Sequence, residues 1–141
     1  MTEHPLRAVI DAYNAAWDRH DIDAILEFHT EDSVFENHTS GGKAEGHAAI
    51  RELISGVFAT FPDIRFGPRR VYVRDDLVVQ EWTATATHST PVKYKDGVLE
   101  PTGKTIRWDG TDIFPMQNGK IARKDVYASS LDYLRQLGAP V

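Results

Sequence analysis

The chain has 141 residues, 41% of them hydrophobic and 26% charged, which is enough for one well-packed core and too little for two. A net charge of −5 without any block of lysine or arginine excludes nucleic acid or an anionic membrane surface as the main partner and suits a small, weakly charged ligand. The lack of cysteine removes disulfides, thiolate zinc sites and cysteine nucleophiles; the stretch Met1 to Arg7 is polar, and no apolar run approaches the roughly 20 residues that span a bilayer, so a cytoplasmic protein is expected.

In chain order, Leu6, Val9, Ile10, Tyr13, Ala16 and Trp17 recur at helical spacing behind Pro5, which suits a first helical turn, and predict an aromatic-striped first helix. Asp21 can cap a short second helix carrying Ile22, Ile25 and Leu26, and Ser33 to His38 then alternates as a strand. Thr39 to Gly46 reads as a loop, and Ile50, Leu53, Ile54, Val57, Phe58 and Phe61 predict a third helix that stops at Pro62. Strands follow over Ile64 to Phe66, Val71 to Arg74, Leu77 to His88, Tyr94 to Leu99, Thr105 to Met116 and Ile121 to Ala128, with Asn118-Gly119 a strong hairpin signal between the last two. A short helix from Ser130 to Leu137 should end at Gly138 in a left-handed cap. Helices first and antiparallel strands after them predict one α+β domain over residues 1–141, with helices on one face of a curved sheet.

Strand alternation locates candidate chemistry. Between Thr105 and Met116 the even positions, Ile106, Trp108, Gly110, Asp112, Phe114 and Met116, form the buried face. A carboxylate among those aromatics must be paired, hydrogen-bonded or held neutral, which marks Asp112 either as functional or as a strand-end group satisfied locally. In the preceding long strand, Val78, Gln80, Trp82, Ala84, Ala86 and His88 share a face; the two alanines would open a hollow with the His88 imidazole at its rim. Thr83, Thr85 and Thr87 on the opposite face suit a homodimer through the sheet or plain solvent exposure. The six histidines form no pair at a recognised helical metal-ligand spacing, and His29, Glu36 and His38 give no closed ligand set, so no metal and no cofactor is expected. Neither a phosphate-binding glycine loop nor a nucleophile elbow is present.

The stretches AYNAAWDRHDIDAILEFHTEDSVFENH and EGHAAIREL, with TDIF and NGKI further on, resemble ketosteroid isomerase, a member of the nuclear transport factor 2-like superfamily. The resemblance implies a cone-shaped, cystatin-like curved mixed sheet, mainly antiparallel, with three helices on its concave face and a short C-terminal helix. It also implies an oxyanion hole made by a helix-one tyrosine and a strand aspartic acid kept neutral by apolar surroundings, a known case of pKa tuning in that family, falling here on Tyr13 and Asp112. The family's general base falls on Asn37, and asparagine cannot abstract a proton. ATATH, PTGKTIRWDGTDIF, NGKIARKDVY and the terminal RQLG are similar to the SnoaL-like polyketide cyclases, whose histidine and aspartate acid/base pair would fall on His88 and on Asp109 or Asp112. A bulge at Gly110 would turn Asp109 inward, whereas simple alternation favours Asp112.

Together these readings predict cofactor-independent acid/base chemistry on a small, largely apolar carbonyl compound, by aldol-type cyclisation or isomerisation. Asp112 and Tyr13 would stabilise an enolate oxygen, His88 with Asp109 would move the proton, Asn37 would orient the substrate, and Trp17, Phe58, Trp82, Trp108 and Phe114 would line a hydrophobic pocket. A non-catalytic small-molecule-binding or dimerisation domain, and an epoxide hydrolase or dehydratase of the same fold, are the alternatives.

Overall fold

The computed structural model describes residues 3–141, so the first two residues of the polar N-terminal stretch lie outside it. Helix α1 (Pro5–Asp18) begins where His4 accepts a hydrogen bond from the Leu6 amide at 3.2 Å, with Pro5 in the first turn where a missing N–H does no harm. Its buried stripe of Leu6, Ile10, Tyr13, Ala16 and Trp17 is the one the helical spacing predicts. Asp21 caps α2 (Ile22–Glu27) through the Ala24 amide at 3.1 Å, and α3 (Gly46–Thr60) ends just before Pro62. Among the described residues no helix is long and apolar enough to cross a membrane.

Eight strands follow the helices or lie between them: β1 (His29–Asn37), β2 (Lys43–Glu45), β3 (Arg65–Arg74), β4 (Leu77–Thr87), β5 (Val92–Tyr94), β6 (Gly97–Leu99), β7 (Thr105–Gln117) and β8 (Lys120–Ala128). Six of them form one sheet in the order β2-β1-β8-β7-β4-β3, antiparallel except where β1 meets β8, while β5 and β6 make a separate hairpin. This is the α+β architecture expected from the sequence, a mixed and mainly antiparallel sheet with α1, α2 and α3 on one face, closed by the short helix α4 (Ser130–Gln136). Gly138 caps α4 at φ 85°, and Asn118 and Gly119 both take positive φ in the β7–β8 turn.

Four segments differ from the sequence reading, because alternation and turn residues alone do not show which runs pair. β1 starts at His29, since that residue already pairs with Ile121 across an irregularity before Val34. Part of the loop Thr39 to Gly46 is β2, which buries Ala44 opposite Phe35. The two short runs around Gly67 join into one strand through a register shift between Pro68 and Arg70. Tyr94 to Leu99 is not one strand: it holds the end of β5, the turn at Lys95-Asp96 and all of β6.

The even face of β7 is buried throughout, Gly110 included. Gly110 stands directly opposite Trp82 in an unbroken ladder with β4, so no bulge occurs there, and a methyl group on it would run into the Trp82 indole. The glycine lets a large ring lie flat against the sheet and so shapes the hollow above it. Gly110→Ala should therefore destabilise the fold by about 1–3 kcal/mol, as overpacking of a filled core does. Urea unfolding measures this, and an unchanged midpoint would contradict the packing described.

Candidate functional site

Between α1, α3 and the inner face of the sheet lies a cavity of about 470 Å³, a size typical of small-molecule sites. Aromatic rings make its wall. Trp17 packs edge-on against Phe66 at 5.4 Å between ring centroids, and Phe66 against Trp82 at 5.2 Å. At the other end α4 brings Tyr133 to 5.0 Å from Trp108, and Phe61 stands 5.4 Å from the same indole. Edge-to-face contacts at Trp17, Phe66 and Trp82 and tilted ones around Trp108 hold the rings in fixed orientations, which gives an apolar cavity a defined shape.

Several of its polar groups are linked to one another. Gln80 donates to Asp112 Oδ2 at 3.0 Å and exchanges two hydrogen bonds with Asn14, at 2.8 and 3.0 Å. The other carboxylate oxygen, Asp112 Oδ1, is buried and has no partner among the described residues, and neither has the indole Nε1 of Trp17. Unpaired buried polar atoms are rare in folded proteins because each forfeits its hydration, and here both belong to residues that line one cavity.

Lys124 completes the group. Asp112 pairs with Val126 across β7 and β8, so Lys124, two residues earlier on the same face of β8, sits diagonally from the carboxylate. Its Nζ lies 4.4 Å from the ring centre of Trp17, 4.7 Å from Phe35, 5.1 Å from Tyr13 and 5.5 Å from Phe114. Burial pulls the ammonium below its ordinary pKa, and the charge of Asp112 acts in the opposite sense. Among the described residues, Nζ makes one hydrogen bond, to Tyr13 Oη at 3.2 Å.

Tyr13 Oη also lies 3.0 Å from His29 Nε2, and His29 Nδ1 stands 2.9 Å from Ser33 Oγ; a phenol that donates to a neutral His29 keeps its lone pairs for Lys124. Burial pushes the Tyr13 phenol well above its ordinary pKa, with the Asp112 charge adding to the effect. Burial, then the charge of Lys124, lower His29 to about 3, so it stays neutral and serves as an acceptor. Tyr13 thus anchors Lys124, and among the described residues it makes no hydrogen bond to Asp112.

Of the residues singled out from sequence, Tyr13, Trp17, Asn37, Trp82, Trp108 and Asp112 line the cavity. The amide oxygen of Asn37 is taken up by the Thr39 and Ser40 amides, both at 3.0 Å, so it shapes the turn after β1 and leaves only its NH₂ group for a ligand. Phe114 lies behind Tyr13 at 5.6 Å, and Phe58 stacks on His20 at 4.1 Å while bracing Trp17; both support the wall from outside.

Two placements correct the sequence reading. His88 is fully buried away from the cavity, its Nδ1 accepting from the Thr102 amide at 3.2 Å and its Nε2 donating to the Leu99 carbonyl at 3.2 Å, so both ring nitrogens hold the segment after β6. Asp109 faces the outside of the sheet, where it accepts from Thr83 Oγ1 at 2.7 Å and lies near Arg69. Regular pairing across Gly110 is what keeps it there. Glu36, His38 and Asp125 present three possible ligand atoms within 4.8 Å of one another, but Arg123 bonds both carboxylates and His38 holds Asp125 at 2.7 Å, which makes the group a salt-bridge cluster. His29 is not part of it.

The sequence profile of the SnoaL-like domain matches residues 10–124. The chain belongs to the SnoaL-like family. Among solved structures of the same fold, IdmH of Streptomyces antibioticus, a candidate polyketide cyclase, superposes with a TM-score of 0.81 at 20% identity, covering 96% of this chain and 100% of that one. TerC, crystallised with polyporic acid, gives 0.76 at 22% identity over 96% of this chain and 100% of its own. A protein with a ketosteroid isomerase-like fold from Catenulispora acidiphila, crystallised with trimethylamine, gives 0.80 at 16% identity over 99% and 96%. At such identities the likeness is one of fold, and no curated protein is matched by sequence.

In this SnoaL-like chain the sequence reading missed Lys124, Asn14 and the function of Gln80. A signal existed for Lys124, which alternates with Val126 and Ala128 on β8, but its charged neighbours Arg123 and Asp125 make the run look like a solvated edge. The neutral state of His29 has a measurable consequence. With a folded value of about 3 against 6.5 unfolded, its contribution to stability is complete above pH 6.5 and is lost as the pH falls from there toward 3. Between pH 7 and pH 5 the wild type should lose on the order of 2 kcal/mol more stability than His29→Gln, which keeps a partner for Tyr13 but cannot titrate. Parallel stability profiles of the two proteins in urea at those pH values would contradict this.

Proposed function

We propose that the protein is a cofactor-independent acid/base enzyme that enolises a small, largely apolar carbonyl compound, leading to aldol-type cyclisation or double-bond isomerisation. The observation that carries the reading is the unpartnered Oδ1 of Asp112, buried in an aromatic cavity on the strand beside Lys124. Removal of a proton next to a carbonyl needs a base at the carbon and positive charge for the oxygen, and both are stronger in a cavity that excludes water. Asp112 is the base. Gln80, held from behind by Asn14, fixes the other carboxylate oxygen and so aims the free one. Lys124 is the electrophilic partner, positioned by Tyr13, while the rings of Trp17, Trp82 and Trp108 hold the flat body of the substrate. Membership of the SnoaL-like family and the fold shared with candidate polyketide cyclases are consistent with this chemistry.

The test is hydrogen–deuterium exchange at the α-carbon of a panel of aryl ketones in D₂O, followed by NMR. Asp112→Asn and Asp112→Ala should slow exchange equally, by on the order of 100-fold or more, because neither side chain can take a proton. Circular dichroism checks folding, and quenching of the three cavity tryptophans checks binding. An asparagine variant that keeps most of the exchange rate would make Asp112 a hydrogen-bond donor instead, and a wild type that binds the ketones without exchanging them would make the cavity a binding site only.

A further inference from the structure

Lys124 is an odd residue to bury for stability alone. It is 6% exposed among aromatic rings, and an ammonium there has three N–H donors of which the protein satisfies one, through Tyr13 Oη. An apolar side chain of similar length would fill the same space without the desolvation cost. Lys124 also lines the cavity, whereas the remaining lysines, Lys43, Lys93, Lys95, Lys104 and Lys120, are all exposed. Desolvation in an apolar pocket is the established way to give a lysine a reactive lone pair, and burial does lower Lys124.

We infer that Lys124 acts covalently, its ε-amine condensing with the carbonyl carbon of a bound ketone or aldehyde to form a Schiff base. This rests on the reading of Asp112 as the base and specifies how the carbonyl is activated. The balance closes within the pair. Lys124 as ammonium and Asp112 as carboxylate combine with the carbonyl to give a protonated imine, the same carboxylate and one water. Nitrogen loses two hydrogens, which leave with the carbonyl oxygen, and Asp112 relays one of them as a proton to the departing hydroxyl. Nitrogen supplies the electron pair of the new C–N bond, and the C–O electrons leave with the water. The iminium then draws electrons from the neighbouring C–H bond, Asp112 takes that proton to leave an enamine, and after reprotonation or attack on a second carbonyl the addition of water releases the product and restores the amine. Tyr13 keeps Nζ at the cavity wall throughout; it is a positioning residue.

The full chain is treated with benzaldehyde and sodium borohydride, and separately with 1-phenyl-1,3-butanedione, which gives an absorbing vinylogous amide without a reductant; peptide mass mapping follows. One adduct per chain is expected, on Lys124, forming faster than on the exposed lysines, because burial in the apolar wall favours the neutral, nucleophilic amine. Lys124→Met should lose that adduct and keep the slow background on the exposed lysines. Labelling of Lys124 no faster than that background would overturn the inference. The ketone exchange assay separates it from the reading it rests on: Lys124→Arg, which keeps the charge but forms no imine, should lose exchange by on the order of 100-fold. If that variant exchanges at the wild-type rate, the covalent role fails while Asp112 stands as base; if wild type traps benzaldehyde on Lys124 yet exchanges no ketone, the Schiff base stands and the base assignment fails.

Discussion

An amine and a carboxylate on neighbouring strands, both turned into an apolar cavity, set the terms for everything around them. Neither can be left to solvent, so each needs help from the protein. Lys124 is held by a phenol and surrounded by four rings, and Asp112 by an amide that a second amide holds in turn. The aromatic stripe of α1 supplies Tyr13 and Trp17 for the first task and its polar flank supplies Asn14 for the second. One helix therefore serves as the lid of the hydrophobic core and as the clamp on both charged groups.

The supports also bear on protonation states. A neutral His29 can accept from the Tyr13 phenol and leave the phenol's lone pairs to Lys124, with Ser33 at the other ring nitrogen. Such a chain is stiff because each member has one consistent role. The free oxygen of Asp112 and the free N–H of Trp17 are the exceptions, and they belong to the same cavity lining. Rigidity behind the charged pair combined with unmet hydrogen-bonding capacity in front of it is the pattern expected of a site prepared for a substrate.

Much of this was readable from the chain. Helical spacing found the α1 stripe, and two-residue alternation put Asp112 and Trp108 on the inner face of β7, because both are local periodicities that burial enforces. What escaped depends on contacts distant in sequence. His88 looks like a rim imidazole until the segment around Thr102 folds back and takes both of its nitrogens. Asp109 could turn inward only through a bulge, and the Trp82 ring lying on Gly110 removes the reason for one. Lys124 hides in a charged run, and the register shift between Ile113 and Met116 lets Ile121 be buried on the same strand as Lys124 although the two are an odd number of residues apart. The resemblance to ketosteroid isomerase directed attention to Tyr13 and Asp112, but the intervening lysine alters what that pair can do.

The claim on which the account turns is that Asp112 and Lys124 work as one unit. A double-mutant cycle on ketone α-proton exchange, using Asp112→Asn, Lys124→Met and the combined variant, tests it directly. If each residue depends on the other, the double variant should be no slower than the slower single one to within a few-fold, a large departure from additivity. Losses that multiply, so that the double variant shows the product of the two single effects, would mean that the two groups act independently and would contradict the account.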